Sequence, residues 1–170
     1  MGEFPYADLG SMIEEASAQA GSAWIVLDQI QDPYNTGAII RSAEVFGIQG
    51  IVLAEAHQCG VNSMVARTSA GAVNRIPIAR VPDLAPALKR LCDAGIRITG
   101  TDIQQGTPLN QYDFSTPTAV ILGNEAAGVR PGIRDLCSSF ICIPQAGRIG
   151  SLNVAAAAAV ICYEARRHLH

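Results

Sequence analysis

The sequence predicts an α/β domain of the Rossmann-like kind, a parallel sheet flanked by helices, and three observations predict it. Short runs that are apolar at consecutive positions alternate with segments of helical spacing, and such runs belong to strands buried on both faces. Glycines stand where helical segments stop, the place of a C-terminal cap. The chain has 170 residues, of which 49% are hydrophobic and 16% charged, and its mean hydropathy is +0.22. That is enough apolar material for one core and too much for a disordered chain.

The elements follow in order. Residues 1–23 read as an acidic prelude, in part of tag or linker character, in which Ser11 caps a short helix. The main domain is expected over 24–170. Residues 24–27 (WIVL) are the first strand, and Ile39, Ile40, Ala43 and Phe46 mark a helix over 36–46 that stops at Gly47. A second strand, 51–54, is followed by a helix near 62–68 and a third strand, 76–81, with Pro77 near its start. Asp83 caps a helix over 84–94 closed by Gly95, and 96–101 is the fourth strand. A polar loop over 102–117 leads to strand 118–122, helix 131–137, strand 140–143 and a last helix over 151–168. Residues 155–159 are five consecutive alanines, either simply a strong helix former or a face of small side chains admitting another helix, as at a dimer interface.

Charge and cysteine usage narrow the function classes. With 12 basic and 15 acidic residues the net charge is −3, which argues against nucleic-acid binding through a broad basic surface. The excess is local, however. Glu3, Asp8, Glu14 and Glu15 lie in the first twenty residues without a basic partner, and the rest carries 12 basic against 11 acidic groups. All its basic residues but Lys89 are arginines, which suit bidentate contacts to phosphate or carboxylate. The five cysteines are scattered with no CxxC pair, and the three histidines form no HExxH, so neither a disulfide framework nor a metal site is indicated. The longest apolar run, 154–162, is far below the ~20 residues that span a bilayer, and no secretory signal opens the chain. A soluble protein of the reducing cytoplasm is expected.

Three loops at strand ends hold the residues with chemistry, and ligands of this fold class bind beyond the carboxyl ends of strands. After the first strand, residues 32–37 (DPYNTG) lead to Arg41, with Asn35 or Thr36 able to cap the helix. After the fifth, residues 122–128 (LGNEAAG) set two glycines about Glu125, so that backbone can approach a ligand closely. Before the last helix, residues 143–154 (IPQAGRIGSLNV) place Ser151 as an N-cap and Asn153 in the first turn. No GxGxxG stands among them, so a nicotinamide dinucleotide site is not indicated.

In combination, Asn-x-Gly-x3-Arg, Leu-Gly-x-Glu-x2-Gly and Ile-Pro-x-x-Gly-x3-Ser-Leu-Asn-Val resemble the motifs of the SpoU family of RNA ribose 2'-O-methyltransferases. The resemblance covers residues 24–167. The segments 26–37, 68–73 and 76–81 look most like the branch that methylates a guanosine of 23S ribosomal RNA. Members of that branch usually carry a further N-terminal RNA-recognition domain, so a catalytic domain alone or a short variant is expected here.

The resemblance implies a fold in which the C-terminal segment is threaded into a trefoil knot, a homodimer, and S-adenosylmethionine as cofactor. It implies that Thr101, Leu122, Gly123, Ile143, Ser151 and Leu152 hold that cofactor. Arg41 would be the catalytic arginine, with Asn35, Glu125, Ser151 and Asn153 orienting it or the ribose, and Arg41, Arg130 and Arg148 would meet RNA. No metal and no membrane enter this reading. The rival readings are a tRNA target for the same chemistry and a methylation-inactive RNA-binding or ribosome-assembly module.

Overall fold

A computed structural model describes residues 2–16 and 21–168. Seven strands form one sheet, and every pairing is parallel. They are β1 (Ala23–Leu27), β2 (Gly50–Ala54), β3 (Ile78–Val81), β4 (Arg97–Thr101), β5 (Thr107–Pro108), β6 (Thr118–Leu122) and β7 (Ser139–Cys142), in the order β3-β2-β1-β6-β4-β7-β5. Among the described residues six α-helices accompany them: α1 (Leu9–Ala16), α2 (Pro33–Val45), α3 (Ser63–Thr68), α4 (Leu84–Asp93), α5 (Pro131–Arg134) and α6 (Val154–Arg167). The expected parallel sheet flanked by helices is thus observed. Among the described residues no helix is long and apolar enough to cross a membrane.

The continuous apolar runs divide between two cores, as the two-residue period of a strand requires. In β1, Ile25 and Leu27 face a layer made by α2, α3 and α6, whereas Trp24 and Val26 face α1 and α4. β2 and β6 divide in the same way, with Ile51, Leu53, Val120 and Leu122 on the first face and Val52, Ala119 and Ile121 on the second. The prelude helix joins the second layer through Leu9, Met12 and Ala16, and Ala7 donates its backbone N–H to Ile78 O (2.8 Å).

Three caps differ from expectation. In α1 the carboxylate of Asp8 accepts from Ser11 N (2.9 Å), so Asp8 is the cap and Ser11 lies inside the helix. α2 starts at Pro33, earlier than expected, because Asp32 caps Tyr34 N (2.9 Å) and a proline at the first helical position loses no hydrogen bond. Asn35 and Thr36 are therefore helical residues and cap nothing. α6 starts at Val154, with Asn153 accepting from Ala155 N (2.9 Å) and Ala156 N (3.2 Å), which leaves Ser151 in the preceding loop. Within the polar loop 102–117 stands β5, two residues paired with β7 and too short to show a period.

Candidate functional site

A parallel sheet puts the carboxyl ends of all its strands on one side. The order β6-β4-β7 makes Leu122, Thr101 and Cys142, the last residues of those strands, neighbours there. The loops leaving them enclose a cleft of about 730 Å³, within the ~300–1,000 Å³ usual for a small-molecule site. Its walls combine apolar Leu122, Ile141, Ile143 and Leu152 with polar groups of 102–105 and Gln145. Thr101 faces the cleft while its hydroxyl donates to Ile121 O (2.8 Å), tying β4 to β6 at the rim.

The turn after β6 is closed on itself. Asn124 and Gly128 exchange two backbone hydrogen bonds, and the Asn124 side chain caps Ala126 N (3.0 Å) and Ala127 N (3.2 Å). At Gly123 a β-carbon would sit 2.2 Å from Val129 N, so only glycine lets the chain fold back this tightly. The turn is then bolted to β1. Asp28, with no exposed surface, accepts from Arg130 Nε (2.7 Å) and from Arg130 N (3.1 Å).

Glu125 stands on this turn and lines the cleft, and a chain of amides reaches it from two helices. Asn35 Nδ2 donates to Glu125 Oε1, and Asn153 Nδ2 donates to Asn35 Oδ1 (3.1 Å). Each asparagine keeps a defined orientation. Asn153 Oδ1 is held by the α6 backbone, which turns its amide nitrogen toward Asn35, and the amide nitrogen of Asn35 is turned in its own right toward the carboxylate. The helices lie side by side and parallel, since Asn35 meets Asn153 at their amino ends and Phe46 meets Tyr163 (ring centroids 5.8 Å apart) near their carboxyl ends. Ala158, from the alanine run, is fully buried in that shared core, so the small side chains admit α2 of the same chain.

The structure therefore brings together Thr101, Leu122, Gly123, Glu125, Ile143, Ser151 and Leu152 on the cleft, with Asn35 and Asn153 joined to its rim through Glu125. The three arginines expected from sequence lie outside the lining. Arg41 is exposed on α2, about one and two-thirds turns beyond Asn35. Arg148 is exposed on the loop 144–153, and Arg130 is 39% exposed while giving its Nε to Asp28. A pair missed from sequence also lines the cleft. Asp102 meets Arg134 (3.1 Å), and its other oxygen accepts from Gln104 N and Gln105 N, both at 2.9 Å. Those two backbone donors, with Arg134 beside them, hold the Asp102 carboxyl below its ordinary value. Its position directly after an apolar run was the available signal.

Comparison with known proteins bears on the same residues. The model of the SpoU rRNA Methylase family matches residues 22–163. An uncharacterized tRNA/rRNA methyltransferase of Synechocystis is 40% identical over 95% of this chain and 42% of its own length. The SpoU methyltransferase AviRb from Streptomyces viridochromogenes, in complex with the cofactor AdoMet, superposes with a TM-score of 0.80 at 34% identity, over 88% of this chain and 58% of its own. An AdoMet-bound rRNA methyltransferase from Sinorhizobium meliloti does so with a TM-score of 0.86 at 32% identity, over 98% and 62%. The chain spans about half the length of the curated relatives it matches. Since that family's model spans residues 22–163, most of the chain, this chain belongs to the SpoU rRNA methylase family.

Proposed function

We propose that this chain is an S-adenosylmethionine-dependent methyltransferase acting on a ribose 2'-hydroxyl of RNA, with a guanosine of 23S ribosomal RNA as the favoured target. Residues 24–170 would be its catalytic domain, preceded by the segment 1–23, and the cytoplasm its place of work. The observation that supports this most is the chain Asn153–Asn35–Glu125, which fixes a carboxylate and two amides at the mouth of a cleft of cofactor size.

The cleft fits the cofactor by its chemistry. Leu122, Ile143 and Leu152 offer apolar walls for an adenine, and the backbone at Gly123 is open to close approach. Thr101 and Ser151 stand beside them, and the Asp102–Arg134 pair supplies both charges for an amino-acid end. When bound, S-adenosylmethionine supplies a methyl group already activated on a sulfonium. What remains for the protein is to place the ribose oxygen in line with that methyl and to ease loss of its proton. Arginine stays protonated near neutral pH and is a poor base, so Arg41 stabilises the developing alkoxide and contacts the RNA backbone. Glu125, Asn35 and Asn153 orient the ribose or Arg41, and Ser151 faces the methionine end. Arg148 and the free nitrogens of Arg130 meet phosphates, an interaction that weakens steeply with salt.

The chain is further read as a homodimer and as knotted. Val45, Val160 and Tyr163, which are 63%, 42% and 54% exposed, are large apolar side chains on α2 and α6 that a second copy would cover. The knot is supported by the strand order, in which β7 inserts between β4 and β5, strands joined only by residues 102–106.

The test is incubation of the protein and methyl-labelled S-adenosylmethionine with separated RNA classes, followed by mapping of the modified nucleotide. Label on a ribose oxygen of 23S RNA is expected, and label confined to tRNA would move the target. Label on a base, or cofactor binding without transfer to any RNA, would overturn the reading. Arg41→Ala should reduce transfer by at least ~10²-fold while cofactor affinity stays near that of the parent.

A further inference from the structure

Tyr34 is the second residue of α2, and it is 61% exposed. Among the described residues no ring, guanidinium or hydrogen-bonding group engages its ring or hydroxyl, and its backbone N–H is taken by the Asp32 carboxylate. The faces of α2 explain why. Ile39, Ile40 and Ala43 turn to the sheet-side core and Thr36 is buried, Asn35 turns to α6, and Gly37 lies against Thr68 of α3. Tyr34 is on the remaining face. Arg41 follows it by seven residues, two helical turns, and so stands on that same face about 10 Å further along.

An exposed tyrosine alone signifies little, since isolated apolar residues are common on surfaces. Two relations make this one informative. It directly precedes Asn35, whose amide reaches the cleft-lining Glu125, so its place on α2 is one residue from the group tied to the cleft's rim. Its companion on the stripe is a cation with no acidic partner among the described residues. An exposed ring near the rim of the cleft, with an arginine two helical turns further along the same face, presents a π-face for a base and a charge for a phosphate. The exposed Val45, suited to a second protein surface, lies at the opposite end of α2.

We propose that Tyr34 is the stacking platform for a base of the bound RNA at or next to the methylated nucleotide, and that it positions the ribose by holding that base. The proposal rests on RNA being the substrate. It requires the ring and not the hydroxyl. Stacking on a π-face accepts any base, so Tyr34 contributes affinity and placement and the choice of sequence lies elsewhere.

The experiment compares the full chain with Tyr34→Ala, Tyr34→Phe and Tyr34→Trp. Binding is read by fluorescence quenching of a short single-stranded oligoribonucleotide carrying 2-aminopurine, in the presence of S-adenosylhomocysteine, alongside cofactor affinity and sedimentation. Tyr34→Ala should weaken oligonucleotide binding roughly tenfold and remove the quench, with cofactor affinity and sedimentation unchanged. Tyr34→Phe and Tyr34→Trp should retain both. Unaltered binding by Tyr34→Ala, a Phe variant as weak as the Ala variant, or absence of quenching in the parent would overturn the proposal. So would a fall in mass of Tyr34→Ala, which would assign the ring to contact with a second copy. Quenching that depends on the ring in a protein that transfers no methyl group would overturn the methyltransferase reading and leave the stacking site standing.

Discussion

Asp28 and Arg130 set the place of the turn that presents Glu125. A carboxylate with no exposed surface is tolerable only when its charge is matched, and Arg130 matches it with Nε and with its own backbone N–H. Arg130→Ala leaves that charge buried with only the backbone donor and should lower stability by about 3 kcal/mol, measured as a fall in the urea midpoint. Arg130→Lys should recover only part of the loss, because one ammonium cannot reproduce the geometry of a guanidinium. A variant as stable as the parent would show that the pair positions nothing. From sequence, Arg130 read as a phosphate contact. Its motif position was legible, but its partner lies 102 residues away and is set by the fold. Asn35, Glu125 and Asn153 were legible as residue types in motifs, whereas their mutual hydrogen bonds depend on β6 lying beside β1 and on α6 lying beside α2.

The helices α2 and α6 act as one element with both amino ends at the cleft. Asn153 is their junction, capping α6 with its oxygen and holding Asn35 with its nitrogen. Asn153→Ala removes both, and loss of the cap alone is worth about 1 kcal/mol. We expect a fall in thermal midpoint accompanied by a lower kcat, since Glu125 retains Asn35 only if the two helices keep their register. Asn153→Asp keeps the cap and loses the donor, so it should restore much of the stability and little of the kcat. Equal recovery of both would show that the cap suffices and that the donor to Asn35 has no part in the chemistry. A serine and an asparagine two residues apart are both good caps, and sequence offered Ser151; the bond to Asn35 decides for Asn153. The strands were legible as apolar runs to within one or two residues at their ends. Their order was not, because a strand buried on both faces carries no mark of which neighbour it takes. β5 was missed for the opposite reason, having two residues and no buried face of its own.

At the scale of the whole molecule, hydrogen bonds and burial confine stability to a window of pH. Four carboxyls lie below their ordinary values. Asp8 is held there by the backbone N–H of Ser11, Asp102 by those of Gln104 and Gln105, Asp113 by the hydroxyl of Ser115, and Glu164 by the guanidinium of Arg167. A carboxyl lowered by folding contributes stability above its unfolded value, ~4, and loses it as pH falls through the folded value. Three thiols lie on the other side, Cys59 among them, raised by its burial. Desolvation pushes Cys137 up to about 11 and Cys162 up to about 12, against ~8.5 in an unfolded chain. Above ~8.5 the unfolded state releases these protons first, so stability falls there, by up to about 1.4 kcal/mol per pH unit for each thiol. The urea midpoint should therefore be level between about pH 5 and pH 8, decline below about pH 4 and decline again above about pH 9. Cys162→Ala separates the alkaline cause. It lowers the plateau by opening a cavity where Cys162 is fully buried, yet it should make the alkaline decline shallower. An alkaline limb as steep in this variant as in the parent would mean that the buried thiol does not set it, and a midpoint that rises on acidification to pH 3 would contradict the sign assigned to the four carboxyls.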